Sequence, residues 1–126
     1  MTNRKRLVIL VEDDPSVLRA VRRLILGAGF DVVAFDRPSA VLESVLPKSE
    51  ACLLVDVHLP EMNGIELCRV LAASGCELPT VLITGATDEA THKLVRTMDV
   101  AAVLYKPFQR EVLIAALGNA LARKEQ

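Results

Sequence analysis

Aromatic residues are scarce in this chain, which has no tryptophan, one tyrosine and three phenylalanines. A cofactor sandwiched between aromatic rings, as a flavin is, has almost nothing here to hold it. Long apolar runs are also missing. The first run, Leu7–Val11, follows the basic stretch Met1-Thr2-Asn3-Arg4-Lys5-Arg6 and is five residues long. That is too short for a signal-peptide core and far too short to span a bilayer, so a soluble cytoplasmic protein with no membrane contact is expected. Neither sign of charge dominates: 15 basic residues face 16 acidic ones, for a net charge of −1. A broad basic field for nucleic acid or an anionic membrane is thereby excluded, and any electrostatic function must be local. The three cysteines, Cys52, Cys68 and Cys76, are odd in number and lack metal-type spacing. Cys52 lies in an apolar run and Cys68 in a helical pattern, so both read as small, inert core residues, in keeping with a reducing cytosol.

What is abundant is apolar surface to bury. Of 126 residues, 52% are apolar, enough for one domain with a single core and no staples. Residues 1–126 are expected to form that one domain, with its core over about 6–121 and little chain after the last helix. Five short runs alternate with helical patterns: Leu7–Val11, Val32–Phe35, Cys52–Val55, Thr80–Thr84 and Ala101–Tyr105. Several are continuously apolar rather than alternating, the pattern of strands buried on both faces.

Between the runs lie five helix patterns. Asp14-Pro15 reads as a cap followed by proline in the first turn, with Val17, Leu18, Val21, Leu24 and Ile25 inward, Arg19, Arg22 and Arg23 outward, and Gly27 and Gly29 at the end. A second helix is predicted from Pro38 to just before Pro47. A third runs from Gly64 to Ala73 with Ile65, Cys68 and Leu71 inward. A fourth runs from about Asp88 to Met98 with Ala90, Leu94 and Met98 inward. The fifth starts near Arg110 with Leu113, Ala116, Leu117, Ala120 and Leu121 inward. This alternation predicts an α/β fold: a parallel sheet with helices on both faces.

In an open parallel sheet, ligands gather at the carboxyl ends of the strands. Here those ends read Glu12-Asp13-Asp14, Asp56, Thr84-Gly85 and Lys106-Pro107. Each alone is ordinary. Asp14 beside Pro15 is best read as a helix cap, Glu12 and Asp13 alone as solvated acids, Thr84 as a turn residue and Lys106-Pro107 as a loop. Asp56 differs, because it directly follows Leu53-Leu54-Val55 in a half-buried position where a carboxylate needs a partner. Together they offer oxygen ligands for a hard cation and donors for phosphate oxygens.

These residues resemble the receiver domain of bacterial two-component response regulators. The resemblance rests on Val11-Glu12-Asp13-Asp14, Leu54-Val55-Asp56, Leu59-Pro60-Glu61-Met62-Asn63-Gly64, Ile83-Thr84-Gly85 and Tyr105-Lys106-Pro107-Phe108. It covers nearly the whole chain and is most similar to receivers of nitrogen-fixation-type transcription regulators. It implies a flavodoxin-like fold, five strands in order 2-1-3-4-5 with five flanking helices. It also implies roles. Asp56 is the phosphoacceptor and Asp13 a direct Mg²⁺ ligand. Glu12 reaches the metal through water, and the backbone carbonyl of His58 completes the protein ligands. Thr84 binds the phosphoryl group, and Lys106, before a cis bond to Pro107, supplies positive charge. The implied donor is a phosphohistidine on a sensor histidine kinase or phosphotransfer protein. The product is an aspartyl phosphate, in a signalling protein that assists only its own phosphorylation and dephosphorylation. The implied output surface is the helix 4, strand 5 and helix 5 face, toward an effector protein or a second copy, with no direct nucleic-acid contact from this chain.

One departure stands out. In the family an aromatic three residues before the lysine turns inward as the strand-four hydroxyl moves. Here that position is Val103, and Tyr105 lies two residues later on the same side of the strand. Switching is therefore expected to depend on Thr84, the loop after it and the fourth helix, rather than on Tyr105. The His58 side chain is expected to face solvent, and His92 has no assigned role. Three other functions are weighed. A pseudo-receiver that binds protein without taking phosphate would be favoured by a missing acceptor or lysine, and both are present. A flavodoxin-like electron carrier would need a phosphate-cradling loop where Glu12-Asp13-Asp14 repels phosphate. An aspartate-nucleophile phosphatase would carry its paired aspartates after the first strand, together with a cap domain.

Overall fold

A computed structural model describes residues 6–85 and 88–123. Five strands and five helices alternate along it: β1 (Leu7–Val11), α1 (Pro15–Gly27), β2 (Asp31–Phe35), α2 (Pro38–Leu42), β3 (Ala51–Asp56), α3 (Gly64–Ala73), β4 (Thr80–Thr84), α4 (Glu89–Arg96), β5 (Ala102–Tyr105) and α5 (Arg110–Arg123). All pairings are parallel, in the order β2-β1-β3-β4-β5. The expected α/β fold and strand order are therefore observed.

The central strands are buried on both faces, as their continuous apolar runs require. Alternate residues feed two cores. Val8, Leu10, Cys52, Leu54, Val81 and Ile83 pack with α1 and α5, and every predicted inward residue of those helices joins this core. Ile9, Val11, Leu53, Val55 and Leu82 pack on the other face with α2, α3 and α4. Burial raises the thiols of Cys52 and Cys68 to about 12, so both are inert as expected.

Local signals set the helix ends. The Asp14 side chain accepts from the N–H groups of Ser16 and Val17 and caps α1. Gly29, with φ of 96°, closes that helix, as Phe30 N–H bonds the Ile25 carbonyl and Gly29 N–H the Leu26 carbonyl. Asn63 caps α3 and Asp88 caps α4.

Two expectations need correction. The second helix stops at Leu42 rather than before Pro47. Ser44 bonds the Val41 carbonyl through both its N–H and its hydroxyl, competing with a further helical turn. Val45 beyond it is 98% exposed, so continuing the helix would bury nothing there. In the fourth helix, Ala90 and Leu94 face outward and Val95 is the buried residue, with Met98 half-buried beyond the helix end. Leu94 and Val95 are adjacent, so the apolar stripe could centre on either, and packing against the sheet selects Val95.

Candidate functional site

The carboxyl ends of β1, β3, β4 and β5 converge on one edge of the sheet. Parallel register places Val11 beside Val55, Asp56 beside Ile83 and Thr84 beside Tyr105. Each strand's following residues therefore emerge side by side.

Asp56, the last residue of β3, is 2% exposed, and Glu12, just past β1, is equally buried. Asp56 is thus more deeply buried than its half-buried expectation, and its charge is met by specific donors. The Lys106 ammonium lies 2.7 Å from Asp56 Oδ2 and 3.5 Å from Glu12 Oε1. The His58 N–H donates to Asp56 Oδ1 at 2.9 Å, and the Asp14 N–H donates to Glu12 Oε2 at 3.1 Å. Asp13 is exposed at the rim. One carboxylate oxygen each from Glu12, Asp13 and Asp56 lie within 4.8 Å of one another, a donor set of hard oxygens that fits Mg²⁺ or Ca²⁺.

Burial, then the hydrogen bond and charge of neighbouring Asp56, raise the Glu12 carboxyl from 4.5 to about 7, against the Asp14 N–H and the Lys106 charge. Burial alone would lower the Lys106 pKa. The hydrogen bond and charge of Asp56, with Glu12 adding to them, outweigh that and raise it above the ordinary 10.5.

Thr84 is fully buried at the end of β4, and its carbonyl accepts from the Lys106 N–H at 2.9 Å. The Lys106–Pro107 bond is cis. The His58 side chain is exposed, as expected. Val103 packs into the core beneath α4. Tyr105 is 48% exposed and stands edge-on to His92 of α4, with ring centroids 5.4 Å apart. Of the loop after Thr84, Ala86 and Thr87 lie outside the described residues.

The structure thus brings together Glu12, Asp13, Asp56 and Lys106, with Thr84 on the neighbouring strand. It turns Asp14 away to cap α1. Sequence reasoning missed the part played by Gly64. The first residue of α3 packs so closely on the end of β3 that a Cβ would overlap the Asp56 carbonyl oxygen, and its N–H bonds the Val57 carbonyl at 2.7 Å. The signal was a glycine directly after the capping Asn63. The pairing of His92 with Tyr105 and the bonding of Glu61 to Ser39 carried no sequence signal.

Residues 8–118 match the family model of the response regulator receiver domain. The chain belongs to that family. Nodulation protein W of Bradyrhizobium diazoefficiens is 36% identical over 121 residues, 94% of this chain and 52% of that protein. Transcriptional regulatory protein FixJ of Azorhizobium caulinodans is 28% identical over 119 residues, 94% of this chain and 56% of that protein. The structure of response regulator StyR matches with a TM-score of 0.84 at 34% identity, over 97% of this chain and 62% of that one. The crystal structure of FixJ-N matches with a TM-score of 0.85 at 25% identity, over 94% and 95% of the two chains. The expected resemblance to nitrogen-fixation-type receivers is borne out by the FixJ matches. This receiver domain spans about half the length of the curated relatives it matches. Among its described residues no helix is long and apolar enough to cross a membrane.

Proposed function

We propose that this receiver accepts a phosphoryl group on Asp56 from the phosphohistidine of a sensor histidine kinase or phosphotransfer protein. The observation that carries the reading is the Asp56 carboxylate, 2% exposed and held at 2.7 Å by the Lys106 ammonium within an acidic triad. An Asp56 oxygen forms a bond to phosphorus as the phosphorus–nitrogen bond of the donor breaks. The electron pair leaves with the imidazole, and an acyl phosphate remains. The His58 N–H holds Oδ1 in place. Asp13, Asp56 and the His58 carbonyl would hold Mg²⁺ directly and Glu12 through water, and the bound ion would supply positive charge against the phosphoryl oxygens. Lys106 provides a second cation where negative charge collects. Thr84 takes a phosphoryl oxygen by its hydroxyl. The chain acts as a signalling phosphoacceptor and not as a turnover enzyme.

Output goes through the face formed by α4, β5 and α5, toward an effector protein or a second copy. Exposed Leu94, Tyr105 and Val112 on these elements support it. Switching runs through Thr84 and α4, because the inward aromatic position is Val103. Intact-mass spectrometry after incubation with acetyl phosphate, with and without Mg²⁺, tests the transfer. A Mg²⁺-dependent phosphoryl adduct that Asp56→Asn lacks is expected. No adduct on the wild type would favour a phosphorylation-independent, protein-binding receiver.

A further inference from the structure

The loop between β3 and α3 is fastened from an unexpected direction. Glu61 at its tip has φ of 70°, a left-handed conformation that a residue with a side chain rarely adopts. Such a backbone persists when its surroundings over-determine it. Here Glu61 Oε1 accepts from the Ser39 N–H at 2.8 Å and Oε2 from the Ser39 hydroxyl at 3.0 Å. The hydrogen bonds at His58, Met62 and Gly64 close within the loop or onto β3. The Glu61 clasp instead ties the loop tip to the start of α2.

Helices α1, α3 and α4 are capped by the residue preceding each of them, Asp14, Asn63 and Asp88. The residue preceding α2, Arg37, makes no side-chain cap, and the orphan N–H there is met by Glu61 from the acceptor loop. The clasp also walls a cleft of about 330 Å³ lined by Asp13, Asp36, Arg37, Pro60 and Glu61. That cleft opens beside the acidic triad.

We infer that Glu61 is a positioning residue for Asp56: by clasping Ser39 it fixes the loop whose His58 N–H orients the acceptor, and it sets the width of the cleft beside Asp13. This rests on the phosphoacceptor reading above. The clasp couples α2 to the acceptor, so a ligand or partner that moves α2 alters phosphoryl uptake.

The test compares Glu61→Gly, Glu61→Gln and Ser39→Ala with the wild type. Glycine takes a φ of 70° without strain, so Glu61→Gly removes the clasp while keeping the backbone accessible. Amide hydrogen exchange is followed at His58 and Ser39 in metal-free protein, and phosphoryl uptake from acetyl phosphate at saturating Mg²⁺. In Glu61→Gly, exchange at both amides is expected to rise about tenfold as the local opening becomes easier. Uptake is expected to fall roughly five- to tenfold from misplacement of the acceptor, with Tm nearly unchanged. Glu61→Gln keeps an oxygen toward the Ser39 N–H and is expected to restore most of both, with Ser39→Ala intermediate. If Glu61→Gly frees the Ser39 amide but leaves His58 exchange and uptake at wild-type values, the inference is overturned. A wild type that takes no phosphoryl group at all would instead overturn the phosphoacceptor reading.

Discussion

Gly64→Ala adds one carbon where the start of α3 lies against the end of β3. The new Cβ would overlap the Asp56 carbonyl oxygen and stand 2.9 Å from Val55 Cγ1 and 3.0 Å from the Asp56 carbonyl carbon. The main obstacle is backbone, so no side-chain rotation relieves it, and α3 must back away from β3. Overpacking of this kind costs about 1–3 kcal/mol. Retreat of the helix also strains the bond from Gly64 N–H to the Val57 carbonyl, worth about 1 kcal/mol. The better helix propensity of alanine returns at most about 1 kcal/mol. The net expectation is a loss of about 2 kcal/mol, or a drop of roughly 6–12 °C in Tm for a domain of this size. Urea unfolding with an unchanged m-value reads the loss directly. Gly27→Ala is the control: nothing lies within 4 Å of a Cβ there, so the same substitution is expected to be neutral or slightly stabilising. A Gly64→Ala protein within about 0.5 kcal/mol of wild type would refute the close approach as a constraint.

Three further outcomes are expected. Burial and the neighbouring Asp56 push the Glu12 carboxyl up from 4.5 to about 7 in the folded protein, so between those values the folded state binds the extra proton. The contribution of this group to metal-free stability therefore falls as pH rises across this window, by at most about 1.4 kcal/mol per unit, and levels off above 7; a wild-type minus Glu12→Gln difference in thermal melts that grows from pH 4.5 to 8 would contradict the crowding of Glu12 and Asp56. Lys106→Met leaves Asp56 and Glu12 without their cation and is expected to destabilise by about 1–3 kcal/mol at pH 8, and by less at pH 5, where Glu12 holds its proton; equal losses at both values would argue against the pairing. Tyr105→Ala removes a half-exposed ring edge-on to His92 and is expected to cost under about 1 kcal/mol. It should leave intact the phosphorylation-linked change in hydrogen exchange of α4, and loss of that change would return the switch to Tyr105.

Much of this receiver is legible in its sequence because burial on both faces leaves a simple trace. Continuous runs such as Leu53-Leu54-Val55 mark central strands, and the residues just after each run mark one sheet edge. Glu12, Asp13, Asp56 and Lys106 each follow such a run, which is what places them on that edge. In α1 and α5 the apolar stripe is wide, and its helical spacing matches the core-facing residues one for one. The failures lie where the local pattern is ambiguous or the cause is distant. Proline at position 47 suggested a helix end, yet Ser44 and solvent-exposed Val45 end helical structure earlier. Leu94 and Val95 offer two stripes one residue apart, and contact with the sheet decides between them. The Glu61–Ser39 clasp joins positions 22 residues apart through a backbone conformation that no sequence period reports.

The most direct test of the central claim is to locate the phosphoryl group chemically. The protein is phosphorylated with acetyl phosphate and Mg²⁺, reduced with borohydride to turn the acyl phosphate into an alcohol, and digested for peptide mass mapping. Reduction confined to position 56, giving homoserine there, is the expected result. Reduction at Asp13, Glu12 or any other carboxylate, with Asp56 untouched, would contradict the account.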